Sequence, residues 1–350
     1  MSGGAYRTAS ELENAGDLRA AAAAYDRAYA LDPEDAELAA ARAALLDRLA
    51  ITEHGLVFRY VPAGTFLMGS ETGDPDERPV HPVRLGDYWI TDAPVSWSAY
   101  CALMGWVPPP VGMPEERPEN AFGLYDTNKI RLQYCEDATT RAIGWHAHDP
   151  RLWGRREGEG PGPERRFGEP PRESDDPWGY DRKPMVSVPW DDAVALGEKL
   201  STSKVRYRLP TEAEWERAAR GGLPGRRYPW GDEPPTPERC DFGRFDDFSI
   251  RPVREKPPNG YGLYAMAGSV WEWTADRYDA EYYRHSPEAD PAGPGTGSER
   301  VLRGGSWADC AETVTVSFRM SRPVSTDYRG GGPTWRQTPN IGFRLCRLAR

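Results

Sequence analysis

The chain has 350 residues, a formal net charge of −10, and many Pro, Gly and Trp residues (34, 36 and 13). This length allows a sizeable core, the Pro and Gly content predicts a loop-rich body, and the acidic balance argues against a nucleic-acid partner. There is no apolar run of about 18 residues and no signal-peptide pattern at the N-terminus, so we expect no membrane partner and a cytoplasmic location.

Residues 1–50 differ in composition from the rest of the chain, because they are rich in Ala and their apolar residues recur at helical spacing. Gly16 and Pro33 divide them into three predicted helices, near 5–15, 17–31 and 34–49. The stretch "AAAAYDRAYALDP" resembles the second helix of a tetratricopeptide repeat, and about one and a half repeats are present. An array this short is not expected to be stable alone, so the arm should pack on the main body or on a protein partner.

From residue 51 onward the sequence predicts short strands, turns and a few short helices. "LVFRYVPAGTFLMGS" alternates around a Pro-Ala-Gly turn and predicts a β-hairpin. "APVSWSAYCALMG" predicts a helix capped by Ser96 and ended by Gly105, and "PWDDAVALGEKLS" predicts another. In "LPTEAEWERAARGG", Thr211 and Glu214 form a predicted capping box, and Trp215, Ala218 and Ala219 share one face.

A long insertion near 106–184 interrupts these elements, and its Gly- and Pro-rich part, 151–183, predicts a surface loop. Within it, His146 and His148 are two residues apart, which places them on the same side of an extended segment. With a carboxylate nearby, such a pair is a candidate site for iron or another transition metal. The alternative is a pair of solvent-facing imidazoles that stack on neighbouring Trp residues.

Six segments in order then carry a family resemblance: "VPAGTFLMGSETGDPDERPVHPVRLGDYWI", "RYRLPTEAEWERAARGG", "YPWGDE", "NGYGLYAMAGSVWEWTAD", "RVLRGGSW" and "NIGFRLCR". They resemble the landmark motifs of the formylglycine-generating enzymes, the sulfatase-modifying factors. The resemblance implies an α+β fold for 51–350, a loop-rich variant of the C-type-lectin fold with a shallow groove, preceded by the helical arm. As scaffold, "GGSW" allows close backbone approach, "WEW" places one Trp inward and one at a surface, and "GFRL" forms a final strand.

Formylglycine synthases hold copper with two Cys, five and ten positions after the first Gly of the Gly-Gly-Ser stretch. Counted from Gly304, those positions here are Asp309 and Val314, and the same ungapped count aligns Arg322 with the family's arginine. Cu(I) prefers two thiolates, so the resemblance implies that no copper is bound. Cys310 lies one place off, and on an extended strand it would face away from the groove. The five Cys are scattered without a CxxC pair, which argues against a zinc ribbon or a disulfide framework.

The predicted groove retains several residues at family positions, and Arg319 and Arg322 are candidates to bind a ligand carboxylate. For Asp309 we expect an ion pair with Arg319 or Arg322 in preference to a catalytic role. The candidate ligand-binding set is Trp273, Ser306, Trp307, Asp309, Arg319 and Arg322.

The resemblance also implies structural calcium. One family site uses a residue at the position of Asp241, and Asp246 and Asp247 add hard oxygen donors nearby. A second site uses an Asn where this chain has Ser269, although Glu272 remains.

Two functions remain open at this point. The first is a metal-dependent oxidoreductase that acts on a peptide or small molecule without copper, with the insertion over the groove. The second is a non-catalytic lectin-type module, for example a retroelement variable protein, that binds a peptide, protein or small molecule. The His pair favours the first, and the missing Cys pair and the helical arm favour the second.

Overall fold

The computed structural model describes residues 2–104, 182–186, 188–243, 251–323 and 340–349. Three helices come first: α1 (Ser2–Asn14), α2 (Leu18–Leu31) and α3 (Ala36–Arg48). Asp17 caps α2 by accepting a hydrogen bond from the backbone N–H of Ala20, and Asp35 caps α3 through the N–H groups of Glu37 and Leu38. The predicted helical arm is confirmed, with boundaries that differ by at most three residues.

The remaining elements are short and end close to residues that break regular structure. The strands and helices in chain order are β1 (Ile51–Glu53), β2 (Leu56–Val61), β3 (Gly64–Met68), β4 (His81–Leu85), β5 (Tyr88–Thr91), α4 (Trp97–Met104), α5 (Trp190–Leu200), β6 (Val205–Arg208), α6 (Glu212–Arg220), β7 (Trp271–Arg277), β8 (Glu299–Arg303), β9 (Met320–Pro323), β10 (Ile341–Gly342) and β11 (Cys346–Ala349). Single 3₁₀ turns lie at Pro75–Glu77 and Tyr282–Arg284. None of the helices in the described ranges has the length and apolar composition required to cross a membrane.

These strands form three sheets. The largest has the order β1-β2-β5-β11-β6 and is antiparallel throughout. Only β5 separates β2, near the start of the body, from β11, the last strand of the chain order given above. The second has the order β10-β7-β8-β9, with β10 parallel to β7. The third is the pair β3-β4. This mixed α and β architecture agrees with the predicted fold class.

Helix α6 forms as the sequence predicts. The hydroxyl of Thr211 accepts from the N–H of Glu214 at 3.2 Å, and the Glu214 carboxylate accepts from the N–H of Thr211 at 2.8 Å. Gly221, with φ of +61°, ends the helix in the left-handed region. The predicted apolar face of Trp215, Ala218 and Ala219 is fully buried.

The predicted hairpin is wrong, because β2 and β3 belong to different sheets. Arg217 on α6 explains the difference. Its guanidinium donates to the carbonyl of Pro62 at 2.8 Å and lies where a side chain at Gly64 would stand. The carbonyl of Pro62, in the predicted turn, is therefore bound by Arg217 of α6, and the chain passes from the sheet of β2 to the sheet of β3.

The predicted final strand over "GFRL" is also interrupted. β10 ends at Gly342 in one sheet, β11 begins at Cys346 in another, and Arg344 lies between them. The Arg344 guanidinium is fully buried and forms a two-point ion pair with Glu272, with N–O distances of 2.5 and 2.7 Å. Residues 343–345 therefore lead from one sheet to the other without belonging to either strand.

The helical arm packs directly on the body. Asp26 on α2 accepts from Arg42 at 2.7 Å and from the Tyr261 hydroxyl at 2.8 Å, and Arg217 lies 3.3 Å away. Arg42 also donates to the carbonyl of Gly260 at 2.8 Å. Apolar residues of the arm are part of the same buried cluster as those of the body.

Candidate functional site

The segment after β8 carries Asp309 and Val314, the two positions at which the resemblance implies copper ligands. Gly304 and Gly305 have φ of +99° and +69°, so both adopt backbone conformations that favour glycine. A Cβ on Gly305 would stand 2.7 Å from the Cγ1 of Val314, which shows how closely the two stretches approach. Trp307 is buried directly after them. The predicted role of "GGSW" in close backbone packing is confirmed.

Asp309 is half-buried and is held by Ser306. One carboxylate oxygen, Oδ2, accepts from the backbone N–H of Ser306 at 3.0 Å and also from its hydroxyl. The Nδ2 of Asn340 donates to the same hydroxyl at 3.1 Å. The expected ion pair with Arg319 or Arg322 is absent from the described contacts, because Ser306 lies closer in the turn and supplies both donors. We define Ser306, Asp309 and Asn340 as the polar cluster.

The surroundings of Asp309 raise the pKa of its carboxyl group. Burial raises the pKa of Asp309, and hydrogen bonds from Ser306 and Trp271 and the charge of Arg322 act in the opposite direction without cancelling it. The sequence reasoning missed Asn340, although its place at the start of the "NIGFRLCR" motif was a usable signal.

Val314, at the second copper position, is fully buried in a small apolar cluster with Tyr228, Cys240 and Ala267. It carries no donor atom. The pair Asp309 and Val314 therefore does not fit a Cu(I) ion, which requires two facing thiolates.

Cys310 is exposed, which differs from the predicted position facing away from the groove. Residues 307–313 form turns rather than a strand, so the alternation argument does not apply, and Cys310 is exposed to solvent instead of packed away. The two positive-φ glycines end β8 and start these turns, which is the physical reason for the difference.

Both Trp residues of "WEW" are buried, which corrects the prediction that one lines a surface. Trp271 is 1% exposed and Trp273 is 6% exposed, and the indole N–H of Trp273 donates to the carbonyl of Val188 at 2.9 Å. Trp271 and Trp273 are two residues apart on β7 and therefore share one face of the strand, which is the physical reason for the difference. Glu272, on the other face, is also fully buried.

Arg319 is paired inside the protein. It makes a two-point ion pair with Glu212, at 2.7 and 3.1 Å, and donates to the carbonyl of Asp76 at 2.8 Å. Arg322 is exposed on β9. Of the six predicted ligand-binding residues, only Asp309 and Arg322 therefore present appreciable surface in this structure.

Next to Arg319 lies a network of buried charges that the sequence reasoning did not single out. Glu216 accepts from Arg220 at 2.6 Å and from Arg303 at 2.5 Å. Burial opposes ionisation of Glu216, but Arg220 and Arg303 outweigh it and lower the pKa. The motif letters "EWERAAR" and "RVLRGG" provide these charges, and only the tertiary structure brings them together.

Two of the predicted metal ligands, Glu272 and Asp241, lie in the described part of the chain and make different contacts. Both carboxylate oxygens of Glu272 accept from Arg344, and one also accepts from the Trp215 indole at 2.7 Å. Asp241 is buried and its backbone forms a bridge with Gly268. Within the ranges that the structure describes, no three His, Cys, Asp or Glu side chains gather as a possible metal site. His146, His148, Asp246 and Asp247 lie outside those ranges, so calcium at Asp241 and iron at the His pair stay predictions.

Comparison with known proteins identifies the family. The model of the sulfatase-modifying factor enzyme 1-like domain matches residues 52–349. The formylglycine-generating enzyme of Streptomyces coelicolor is 36% identical over 313 residues, which are 83% of this chain and 88% of that protein. The inactive C-alpha-formylglycine-generating enzyme 2 of Mus musculus is 30% identical over 315 residues, 83% of this chain and 85% of that protein.

A solved structure supports the same fold. PvdO from Pseudomonas aeruginosa superimposes with a TM-score of 0.57 at 23% identity and covers 85% of this chain and 97% of its own. At that identity the likeness concerns the fold alone. The match over residues 52–349 and the identity to full-length relatives establish that this chain belongs to the sulfatase-modifying factor enzyme 1-like family, in which the formylglycine-generating enzymes are found.

Proposed function

We propose that this chain is a ligand-binding member of its family that does not form formylglycine with copper. The observation that carries the proposal is the replacement of both thiolate positions. Asp309 is bound by Ser306, and Val314 lies in an apolar cluster. The similarity to a relative that is named as an inactive formylglycine-generating enzyme also supports this proposal.

The ligand we expect is a peptide or an amino-acid-like small molecule that contacts the surface around the polar cluster. Asp309 offers a half-buried carboxylate, and Arg322 is close enough for its charge to act on the pKa of Asp309. A carboxylate and an exposed guanidinium within range of each other's charge suit a ligand with both charges, because each charge meets its opposite.

The second candidate is a metal-dependent oxidoreductase that uses a metal other than copper. It is favoured by the 36% identity to a formylglycine-generating enzyme and by the raised pKa of Asp309, which suits a proton acceptor. Its metal ligands would be His146 and His148 with a nearby carboxylate. One calcium ion at Asp241 would be structural in either case.

The proposal is tested with a sulfatase-type Cys-Thr-Pro-Ser-Arg peptide and the copper-loaded protein, analysed by mass spectrometry. We expect the peptide to remain unchanged, while a copper-dependent formylglycine synthase treated in parallel converts it. Appearance of the aldehyde product with this chain would refute the proposal and would make Cys310 the residue to study.

Metal analysis separates the two candidates. Protein purified without added metals is compared with a His146→Ala/His148→Ala double variant. Stoichiometric iron in the wild type that is lost in the variant would favour the oxidoreductase, and full metal retention in the variant would eliminate the His site.

A further inference from the structure

A cavity of about 620 Å³ lies away from the polar cluster, among the loop after β3, the segment after α6 and the turn that leads to β9. Its volume is in the range of small-molecule sites. None of Ser306, Asp309 and Arg322 lines it, so an inference about it does not depend on the proposed function.

The charges that line this cavity do not balance. Arg226 pairs with Asp232 at 2.5 Å, and Arg220 is bound at 2.6 Å by Glu216, which is not a lining residue. Four lining carboxylates then remain without an ion pair among the described residues, and Arg227 is the lining guanidinium left to face them. These carboxylates are Glu71, Asp74, Glu77 and Glu312.

Glu77 is the most unusual of the four because it is 2% exposed. Its Oε1 accepts from the backbone N–H of Asp74 at 2.9 Å, whereas its Oε2 accepts no hydrogen bond. Gly73 makes room for the carboxylate, since a Cβ there would stand 2.1 Å from Oε2. A buried carboxylate oxygen without a donor costs free energy, and a bound donor would recover it.

We propose that this cavity binds a cationic group, a guanidinium or an ammonium, through the carboxylate of Glu77. Such a group supplies both a positive charge and an N–H donor to Oε2. The surplus of carboxylates around the cavity attracts cations and disfavours an anionic ligand. Burial raises the pKa of Glu77, and the hydrogen bonds of Asp74 and Ser317 and the charge of Arg303 oppose this effect without cancelling it.

The test uses isothermal titration calorimetry with the full-length protein and three probes. N-acetyl-arginine methylamide represents an arginine side chain in a peptide, and agmatine, which carries a guanidinium and an ammonium group, represents a small free amine. N-acetyl-citrulline methylamide is the neutral match to the first probe. We expect saturable binding of at least one cationic probe and none of the citrulline compound. A preference for the arginine derivative or for agmatine distinguishes a peptide from a small amine as the source of the cation.

Glu77→Gln keeps the size and the acceptor of the side chain but removes its charge. It should weaken binding of the cationic probe by about tenfold or more. Glu288→Gln, at an exposed carboxylate that does not line the cavity, should bind like the wild type. Glu312→Lys, at the exposed rim, should weaken binding without affecting folding, and it decides the question if Glu77→Gln does not fold.

The proposal is overturned if the citrulline and arginine derivatives bind equally or if no cationic probe saturates the wild type. Wild-type affinity in folded Glu77→Gln would overturn it as well. If only Glu312→Lys can be measured, wild-type affinity in that variant has the same consequence.

Discussion

At the scale of single residues, neighbours in the turn decide what each side chain can do. Asp309 is held by Ser306, two residues of "WEW" that were expected on different faces are both buried, and Cys310 is exposed. The short turns after Gly305 set the environments of Asp309 and Cys310, because each residue in a turn has its own orientation and strand alternation does not apply. The two Trp residues lie on β7 instead, two positions apart on one face of the strand.

The thiols provide a prediction at this scale. Cys310 is exposed, whereas Cys240 and Cys346 are buried, and burial raises the pKa of Cys240 to about 12. We expect a brief treatment of the native protein with iodoacetamide to modify Cys310 and leave Cys240 and Cys346 unmodified, as read by peptide mass spectrometry. Modification of the three at equal rates, in protein shown to be folded, would contradict the placement of this turn.

The raised pKa of Asp309 provides a second prediction. Because the folded protein holds this proton more tightly than the unfolded chain, stability from this group falls as the pH rises from about 4, the usual pKa of Asp. The free energy of unfolding of the wild type minus that of Asp309→Asn should therefore decrease between about pH 4 and neutral pH. Denaturant titrations of both proteins at several pH values measure it, and a difference that increases with pH would show that the pKa is lowered instead.

At the scale of elements, the arm and the body are joined by charges. Asp26 of α2 lies at the centre, between Arg42 of α3, Arg217 of α6 and the Tyr261 hydroxyl. Arg42 is 2% exposed, so its charge depends on Asp26 for compensation. These contacts link the arm to the body through α3, α6 and the segment that carries Tyr261.

Removal of Asp26 should therefore be costly. We expect Asp26→Ala to lower the free energy of unfolding by about 3 kcal/mol, because it leaves a buried guanidinium without its carboxylate. Glu34→Ala, at an exposed acid of the same arm, serves as the control and should change stability by less than about 0.5 kcal/mol. Equal stability of the two variants in denaturant titrations would mean that the arm does not depend on this contact.

At the scale of the whole molecule, the fold of the family is retained while Asp309 and Val314 stand at the two positions where the resemblance places copper ligands. The buried pairs Glu272 with Arg344, Glu212 with Arg319, and Glu216 with Arg303 connect the motifs to one another. Several motif residues therefore serve the scaffold rather than a ligand. This explains how the family fold can persist without the thiolate pair.

A structural calcium ion would affect the stability of the whole molecule. If Asp241 ligates a structural calcium ion, chelation should lower the melting temperature of the wild type, since a ligand that binds the folded state stabilises it. In Asp241→Ala, the melting temperatures with calcium and with chelator should coincide. An equal response to chelator in both proteins would place the ion elsewhere, and no response in the wild type would remove the calcium site.

The sequence by itself determined the fold class, the helical arm, the capping box of α6, and the presence of Asp309 and Val314 at the two positions where the resemblance places copper ligands. These features depend on local composition, on residue spacing and on ordered motifs, all of which can be read along the chain. Only the tertiary structure decided the partners of Arg319, Glu272 and Asp309, the exposure of Cys310 and the separation of β2 from β3. Each of these depends on a side chain distant in sequence or on the direction of a turn, and hydrophobic periodicity carries no information about either.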